Sequence, residues 1–109
     1  MNSFLQHLTD IKFANEKERK EEIWDVEGRL KNGNKVFKFD IRPLVITPTR
    51  GEKTGFFSTK ADKIVFEIEK KWIVFDVEEL NNYIKKSNKR DFNVDELLYV
   101  LTWSLKIDK

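Results

Sequence analysis

The sequence contains no cysteine and only one histidine among its 109 residues. It therefore cannot form a disulfide framework, a thiol nucleophile or a cysteine zinc site, and one chain cannot build a histidine-rich metal site. Any metal ion would have to bind to carboxylates.

Long apolar runs are also missing. No stretch approaches the roughly 18 apolar residues of a membrane span, and the first residues, MNSFLQHLTDIKF, lack the basic and apolar regions of a secretory signal. We therefore expect a soluble, cytoplasmic protein without a membrane partner.

An excess of one charge is missing as well, because 21 Lys and Arg stand against 19 Asp and Glu, a net charge of +2. This balance neither requires nor excludes nucleic acid, but it disfavours a DNA mimic, which needs a strongly acidic surface. The apolar fraction of 39% and the aromatic fraction of 13% are too high for a disordered chain. The length fits a single domain over residues 1–109.

The N-terminal third predicts a helix followed by a hairpin. Ser3 and Gln6 have capping-box spacing, and apolar residues then recur at helical intervals, which predicts a helix from 3 to about 13. The charged run 15–22 either extends this helix or forms a link. Residues 24–42 alternate apolar and polar side chains on both sides of an Asn-Gly pair, the strongest short hairpin signal.

The C-terminal part predicts a strand pair and two helices. Residues 63–76 contain two β-branched and aromatic runs, typical of strands covered on both faces. Capping boxes at Asp76 and Asn93 predict a helix to about Lys86 and a last helix with an apolar stripe through Leu105, with Trp103 off that stripe.

Together these elements predict an α+β (mixed α/β) domain. Its central mixed sheet has about four to five strands, flanked by an N-terminal helix and two C-terminal helices.

The Asn-Gly turn predicts the register of the first hairpin, because opposite residues then have numbers that sum to 65. One face collects mostly charged side chains, and the other face is apolar and must be buried. The first face carries Asp25, Glu27, Arg29, Val36, Lys38 and Asp40.

Asp25 and Asp40 lie directly opposite each other in this register. Two carboxylates about 5 Å apart repel each other unless a cation lies between them. A divalent ion such as Mg²⁺ or Mn²⁺ would be a natural companion and could activate a phosphoryl group. Lys38 could then steady the developing charge. The alternative is a solvated face, with Glu27 and Lys38 as a cross-strand ion pair.

A second group of candidates could contact nucleic acid. Residues 47–55 read as a loop with exposed Arg50 and Lys53, while Ser58 and Thr59, followed by Lys60, could hold phosphate at a turn. Capping of a local turn is the alternative role for the two hydroxyl residues.

The layout of an acid in Trp24-Asp25, a turn and then Asp40-Ile41-Arg42 resembles the PD-(D/E)XK restriction-endonuclease-like nuclease superfamily. Residues 55–84, GFFSTKADKIVFEIEKKWIVFDVEELNNYI, are similar to the stretch after the active site in many small phage and microbial members. The resemblance implies a metal at Asp25 and Asp40, with Arg42 in the place of the family lysine.

This motif departs from the family pattern. Trp24 stands where the family has proline, and Arg42 where it has lysine. A second alignment keeps Lys38 as the lysine but puts Val36 at the acid position.

Three functions stay open on the sequence alone. The first is a small nuclease-like protein that acts on DNA with Mg²⁺ or Mn²⁺, using Asp25, Asp40 and either Lys38 or Arg42. The second is a catalytically inactive module that binds nucleic acid or a protein, such as a phage or mobile-element inhibitor of a host defence complex. The third is a homodimer formed through the last helix and Trp103.

Overall fold

The structure, a computed structural model, describes residues 4–31, 33–43, 59–68, 70–87 and 94–109. Within them, six strands form one mixed sheet in chain order. The strands are β1 (Leu8–Phe13), β2 (Val26–Leu30), β3 (Val36–Pro43), β4 (Lys63–Glu67), β5 (Lys71–Asp76) and β6 (Ser104–Asp108). The helices are a 3-10 helix (Phe4–His7), α1 (Glu16–Glu21), α2 (Val77–Ser87) and α3 (Val94–Val100). The predicted α+β class is confirmed, with one strand more than expected.

The sheet joins two antiparallel halves. Strands β1 to β3 form one half, β4 to β6 form the other, and β3 runs parallel to β4 at the junction. The two predicted strand pairs are confirmed as β2 with β3 and β4 with β5. All residues of β4 except its last, and the four central residues of β5, are buried, as expected for strands covered on both faces.

The predicted helix over residues 3 to 13 is wrong beyond His7. Residues Leu8–Phe13 form β1 and pair with β2, although Asp10 has a φ of 56° and the register shifts between Thr9 and Lys12. This bulge adds a residue to one strand and interrupts the two-residue alternation. The apolar residues then recur at spacings that imitate a helix.

The predicted last helix also ends early. Helix α3 stops at Val100, and the chain returns as β6, in which Leu105 lies opposite Val74. The four-residue step from Leu101 to Leu105 imitates a helical turn. Both errors fall on the edge strands, where pairing with a distant strand overrides local pattern.

Two helices begin with side-chain caps. Asn15 and Glu18 form a reciprocal capping box at α1, so the charged run becomes a short separate helix. Asp76 caps α2, since its Oδ2 accepts a hydrogen bond from Glu79 N–H at 3.0 Å. None of the helices in the described ranges has the length and apolarity needed to cross a membrane.

The two faces of the sheet carry separate cores. Helices α2 and α3 cover one face, which we call the helix face, while the 3-10 helix packs on the other, the opposite face. The helix-face core contains Ile64, Phe66, Ile73, Phe75, Val77, Leu80, Ile84, Leu97 and Leu101. The opposite-face core contains Phe4, Leu8, Val26, Phe39, Val65, Trp72 and Val74.

Candidate functional site

The register of the first hairpin is as predicted. Glu27 lies opposite Lys38 and Arg29 opposite Val36, and Asp25 N–H donates to the carbonyl of Phe39 at 2.8 Å. The backbone of Asp25 therefore lies beside the segment that contains Asp40. Asn32 of the predicted turn falls outside the described residues.

Asp40 is buried on the helix face and bound to Arg42. It pairs with Ile64, which belongs to the helix-face core, and only 4% of its surface is exposed. Its Oδ2 accepts hydrogen bonds from Arg42 Nε at 3.1 Å and Nη2 at 2.8 Å. The acid and the base of the predicted motif thus bind each other, since residues two apart on a strand share a face.

Asp25 has partners of its own. Its Oδ2 accepts from Ile41 N–H at 2.7 Å, and its Oδ1 lies 3.8 Å from Arg19 Nη2. A strand N–H points along the sheet plane toward the neighbouring strand, so this carboxylate lies in that plane at the end of β2. The Asp25 carboxylate thus accepts a strand hydrogen bond that the backbone of a further β2 residue would otherwise accept. It does not lie on the face that it was predicted to share with Asp40.

A cleft on the opposite face includes Asp25 in its wall. Its volume is about 440 Å³, and Arg19 and Glu67 add further charges to its lining. The remaining lining residues are Phe4, Leu5, Phe13, Ala14, Val26, Ile41 and Trp72. Asp25 is thus exposed to an apolar cleft, whereas Asp40 is buried against the helix face.

Lys38 contacts residues both inside and outside the hairpin. Its Nζ lies 5.0 Å from the centre of the buried Trp24 ring and 3.8 Å from Glu22 Oε1. Trp24 Nε1–H donates to the same Glu22 oxygen at 3.0 Å. The backbone of Lys38 exchanges hydrogen bonds with Asp62 just before β4. Lys38 therefore ties the hairpin to its neighbours.

The residues at this site do not fit a divalent metal as they are placed. Asp40 Oδ2 already accepts from a guanidinium, which stays protonated and would repel a second cation. Among the described residues, no group of three or more Asp, Glu or His side chains is arranged to hold an ion. A divalent ion at Asp40 Oδ2 would have to compete with the Arg42 guanidinium for that oxygen.

Of the predicted phosphate-binding residues, Arg50, Lys53 and Ser58 lie outside the described residues. Thr59 is buried, and its hydroxyl donates to Ile23 C=O at 2.6 Å while accepting from Ala61 N–H at 3.0 Å. These hydrogen bonds correspond to the turn-capping role, the alternative that the sequence left open for Thr59. Lys60 is exposed, and its N–H donates to Glu22 C=O at 2.8 Å.

Three large apolar side chains are exposed where α3 leads into β6. Tyr99 is 90% exposed, and Val100 and Trp103 are each 37% exposed. We call these three residues the corner patch. The sequence offered only one signal for it, the position of Trp103 off the apolar stripe.

The corner patch is anchored to the sheet by a buried lysine. Lys63 is 7% exposed, and its Nζ lies 2.9 Å from Asp76 Oδ1 and 4.0 Å from the centre of the Trp103 ring. The centre of the Phe37 ring lies 4.6 Å from the same nitrogen. A desolvated ammonium between two aromatic faces and a carboxylate holds Trp103 in a fixed place.

Glu79 of α2 fixes the backbone of the same corner. It accepts hydrogen bonds from Thr102 N–H and Oγ1–H, each at 2.6 Å, and from Trp103 N–H at 3.0 Å. Burial raises the pKa of the Glu79 carboxyl, but the hydrogen bonds from Thr102 and Trp103 outweigh this and lower the pKa overall, against repulsion from Asp76. The charged form of Glu79 therefore stabilises the start of β6.

We expect the Glu79→Gln variant to lose about 1 kcal/mol of unfolding free energy at pH 7, a value reduced for partial exposure. A lowered folded-state pKa gives stability that is present above the unfolded pKa and lost as pH falls through the folded one. The difference from the parent should therefore shrink between about pH 5 and pH 3. Urea unfolding of the parent and the variant at pH 7 and at pH 3 measures this difference in stability.

Glu78→Gln, at an exposed neighbouring position, is the matched control and should show little difference at either pH. An equal loss for Glu79→Gln at pH 3 and pH 7 would contradict this role of the charge.

No family model matches this chain, and no curated protein or solved structure is significantly similar to it. The resemblance to the PD-(D/E)XK superfamily therefore stays a prediction from the motif residues.

Proposed function

We propose that this chain is a catalytically inactive, protein-binding module that engages its partner through the α3–β6 corner. The observation that carries the proposal is the exposure of two large aromatic side chains, Tyr99 on α3 (90%) and Trp103 just before the edge strand β6 (37%). Tyr and Trp supply large contact areas at little entropic cost and are enriched in protein interfaces. Exposed aromatic residues beside a sheet edge therefore support a protein partner.

The Asp40–Arg42 pair supports the inactive form over a nuclease. A metal-dependent nuclease needs carboxylate oxygens that are free to coordinate the ion and an adjacent cation that faces the phosphoryl group. Here one carboxylate oxygen accepts both guanidinium hydrogen bonds, and Asp25 accepts a backbone N–H. Action on DNA is the competing proposal.

The first test measures action on DNA. Purified protein is incubated with plasmid, linear and single-stranded DNA, with and without Mg²⁺ or Mn²⁺. We expect no cleavage and no salt-dependent retention of DNA. Cleavage that Asp40→Asn abolishes would overturn the proposal in favour of a nuclease, and salt-dependent retention alone would favour a nucleic-acid-binding module.

The second test locates the protein contact. The photo-cross-linker p-benzoylphenylalanine replaces Tyr99 in one variant and Lys85, an exposed residue of α2, in a control. In cells of the organism that encodes the chain, we expect discrete protein adducts from position 99 that are missing from position 85. The proposal fails if position 99 gives no adduct or the same adducts as the control.

A further inference from the structure

The two edges of the sheet differ in their capacity to pair. Strand β1 is interrupted by the bulge at Asp10, and bulges protect an edge from pairing. Strand β6 pairs with β5 without interruption from Ser104 to Asp108. Within the described part of the chain, no strand pairs with the outer side of β6. It is therefore the edge that can accept another strand.

The direction of the β6 backbone groups follows from one hydrogen bond. Lys109 N–H donates inward to Lys70 C=O at 3.0 Å. Because backbone groups alternate in direction along an antiparallel strand, those of Ser104, Lys106 and Asp108 point outward. A second strand can therefore form hydrogen bonds with the outward groups of Lys106 and Asp108.

The charged side chains of β6 favour a particular partner and a particular register. Lys106 and Asp108 are exposed and lie on one face of the strand, while Leu105 and Ile107 pack against the opposite-face core. An antiparallel second copy related by a twofold axis pairs residues of the same face. If Lys106 met its own equivalent, like charges would oppose each other. A shift by one residue in each copy places Lys106 opposite Asp108 of the other copy twice.

We propose, resting on the protein-binding function above, that the partner is a second copy of this chain. The two β6 strands pair antiparallel, with Lys106 opposite Asp108 of the second copy and Ile107 facing its equivalent on the axis. The sheets of the two copies then form one continuous sheet. The short strand makes this a weak interface, so we expect the dimer to dissociate in the micromolar range.

Charge reversal tests the pairing. Lys106→Asp and Asp108→Lys should each weaken the dimer at least about tenfold, because each variant opposes like charges twice. Mixing the two variants restores opposite charges and should restore a mixed dimer. Sedimentation velocity over a concentration series measures both. Lys85→Asp, which makes the same charge change on α2, should dimerise like the parent.

Disulfide trapping tests the register, since the chain has no cysteine of its own. Under mild oxidation Ile107→Cys should form a covalent dimer, while Leu105→Cys should stay monomeric. Trapping of Leu105→Cys in preference to Ile107→Cys would overturn the register, and failure of the mixed charge variants to associate would overturn the pairing.

The two proposals fail in different ways. If the parent is monomeric at every concentration while position 99 cross-links to a different protein, the second copy is wrong as the partner and the protein-binding function stands. If neither association nor an adduct is found, both proposals are overturned.

Discussion

Replacing Phe4 with alanine is expected to lower the free energy of unfolding by about 3–4 kcal/mol. Phe4 is 2% exposed, and its ring lies edge-on to Phe39 at 5.3 Å and to Trp72 at 6.2 Å between centroids. Both partners belong to the core of the opposite face. Truncation removes the aromatic contacts and leaves a cavity that the short 3-10 helix cannot fill by moving. Urea unfolding followed by tryptophan fluorescence measures the loss.

Gln6→Ala is the control, because Gln6 is exposed on the same 3-10 helix and its replacement should cost less than about 0.5 kcal/mol. A similar small loss for Phe4→Ala would show that Phe4 is not part of the core. It would also mean that the cleft beside Asp25, which Phe4 helps to line, is not held in shape by this helix.

Those elements whose signals are local could be predicted from the sequence. The Asn-Gly pair and the alternation on both sides of it determine the pairing of Glu27 with Lys38, since the turn sets the register. The buried strands β4 and β5 and the cap of α2 at Asp76 follow from short patterns in the same way.

The two sheet edges could not be predicted because their signals are not local. Strand β1 is stabilised by pairing with β2, whose paired residues lie 13 to 22 positions later, and β6 by pairing with β5 across two helices. The gain from such pairing depends on which strand edge is available, and spacing along the chain does not report that. The open edge proposed for self-association is thus formed by a part of the sequence that resembled a helix.

The candidate site, too, could be predicted from the sequence only where its contacts are local. The register placed Asp25 beside the Asp40 segment, and the two-residue step from Asp40 to Arg42 on one strand face was itself a signal for their ion pair. Contacts from other elements could not be predicted: Arg19 reaches Asp25 from α1, and Lys63 brings Trp103 onto the sheet. A motif shows which residues are near each other, but the surrounding elements decide what each residue binds.

The Arg42→Ala variant is expected to lose about 2–3 kcal/mol of unfolding free energy, because it leaves the buried Asp40 carboxylate without its charged partner. A fully buried pair would lose about 3–5 kcal/mol. The smaller value applies here because the Arg42 side chain is 35% exposed, which lets water reach the remaining carboxylate. Arg42→Lys keeps the charge but not the two-pronged donor, so its loss should be intermediate, about 1 kcal/mol.

A double-mutant cycle separates this interaction from packing. Asp40→Ala with Arg42→Ala removes both charges, so no buried carboxylate is left unpaired, and the double variant should be more stable than the sum of the two single losses predicts by about 2 kcal/mol. Denaturation of the four proteins under one condition gives this coupling. Additive losses would mean that the pair does not hold Asp40, which would free its carboxylate for a metal and reopen the nuclease proposal. A large coupling would instead show that Asp40 and Arg42 stabilise the fold as a pair.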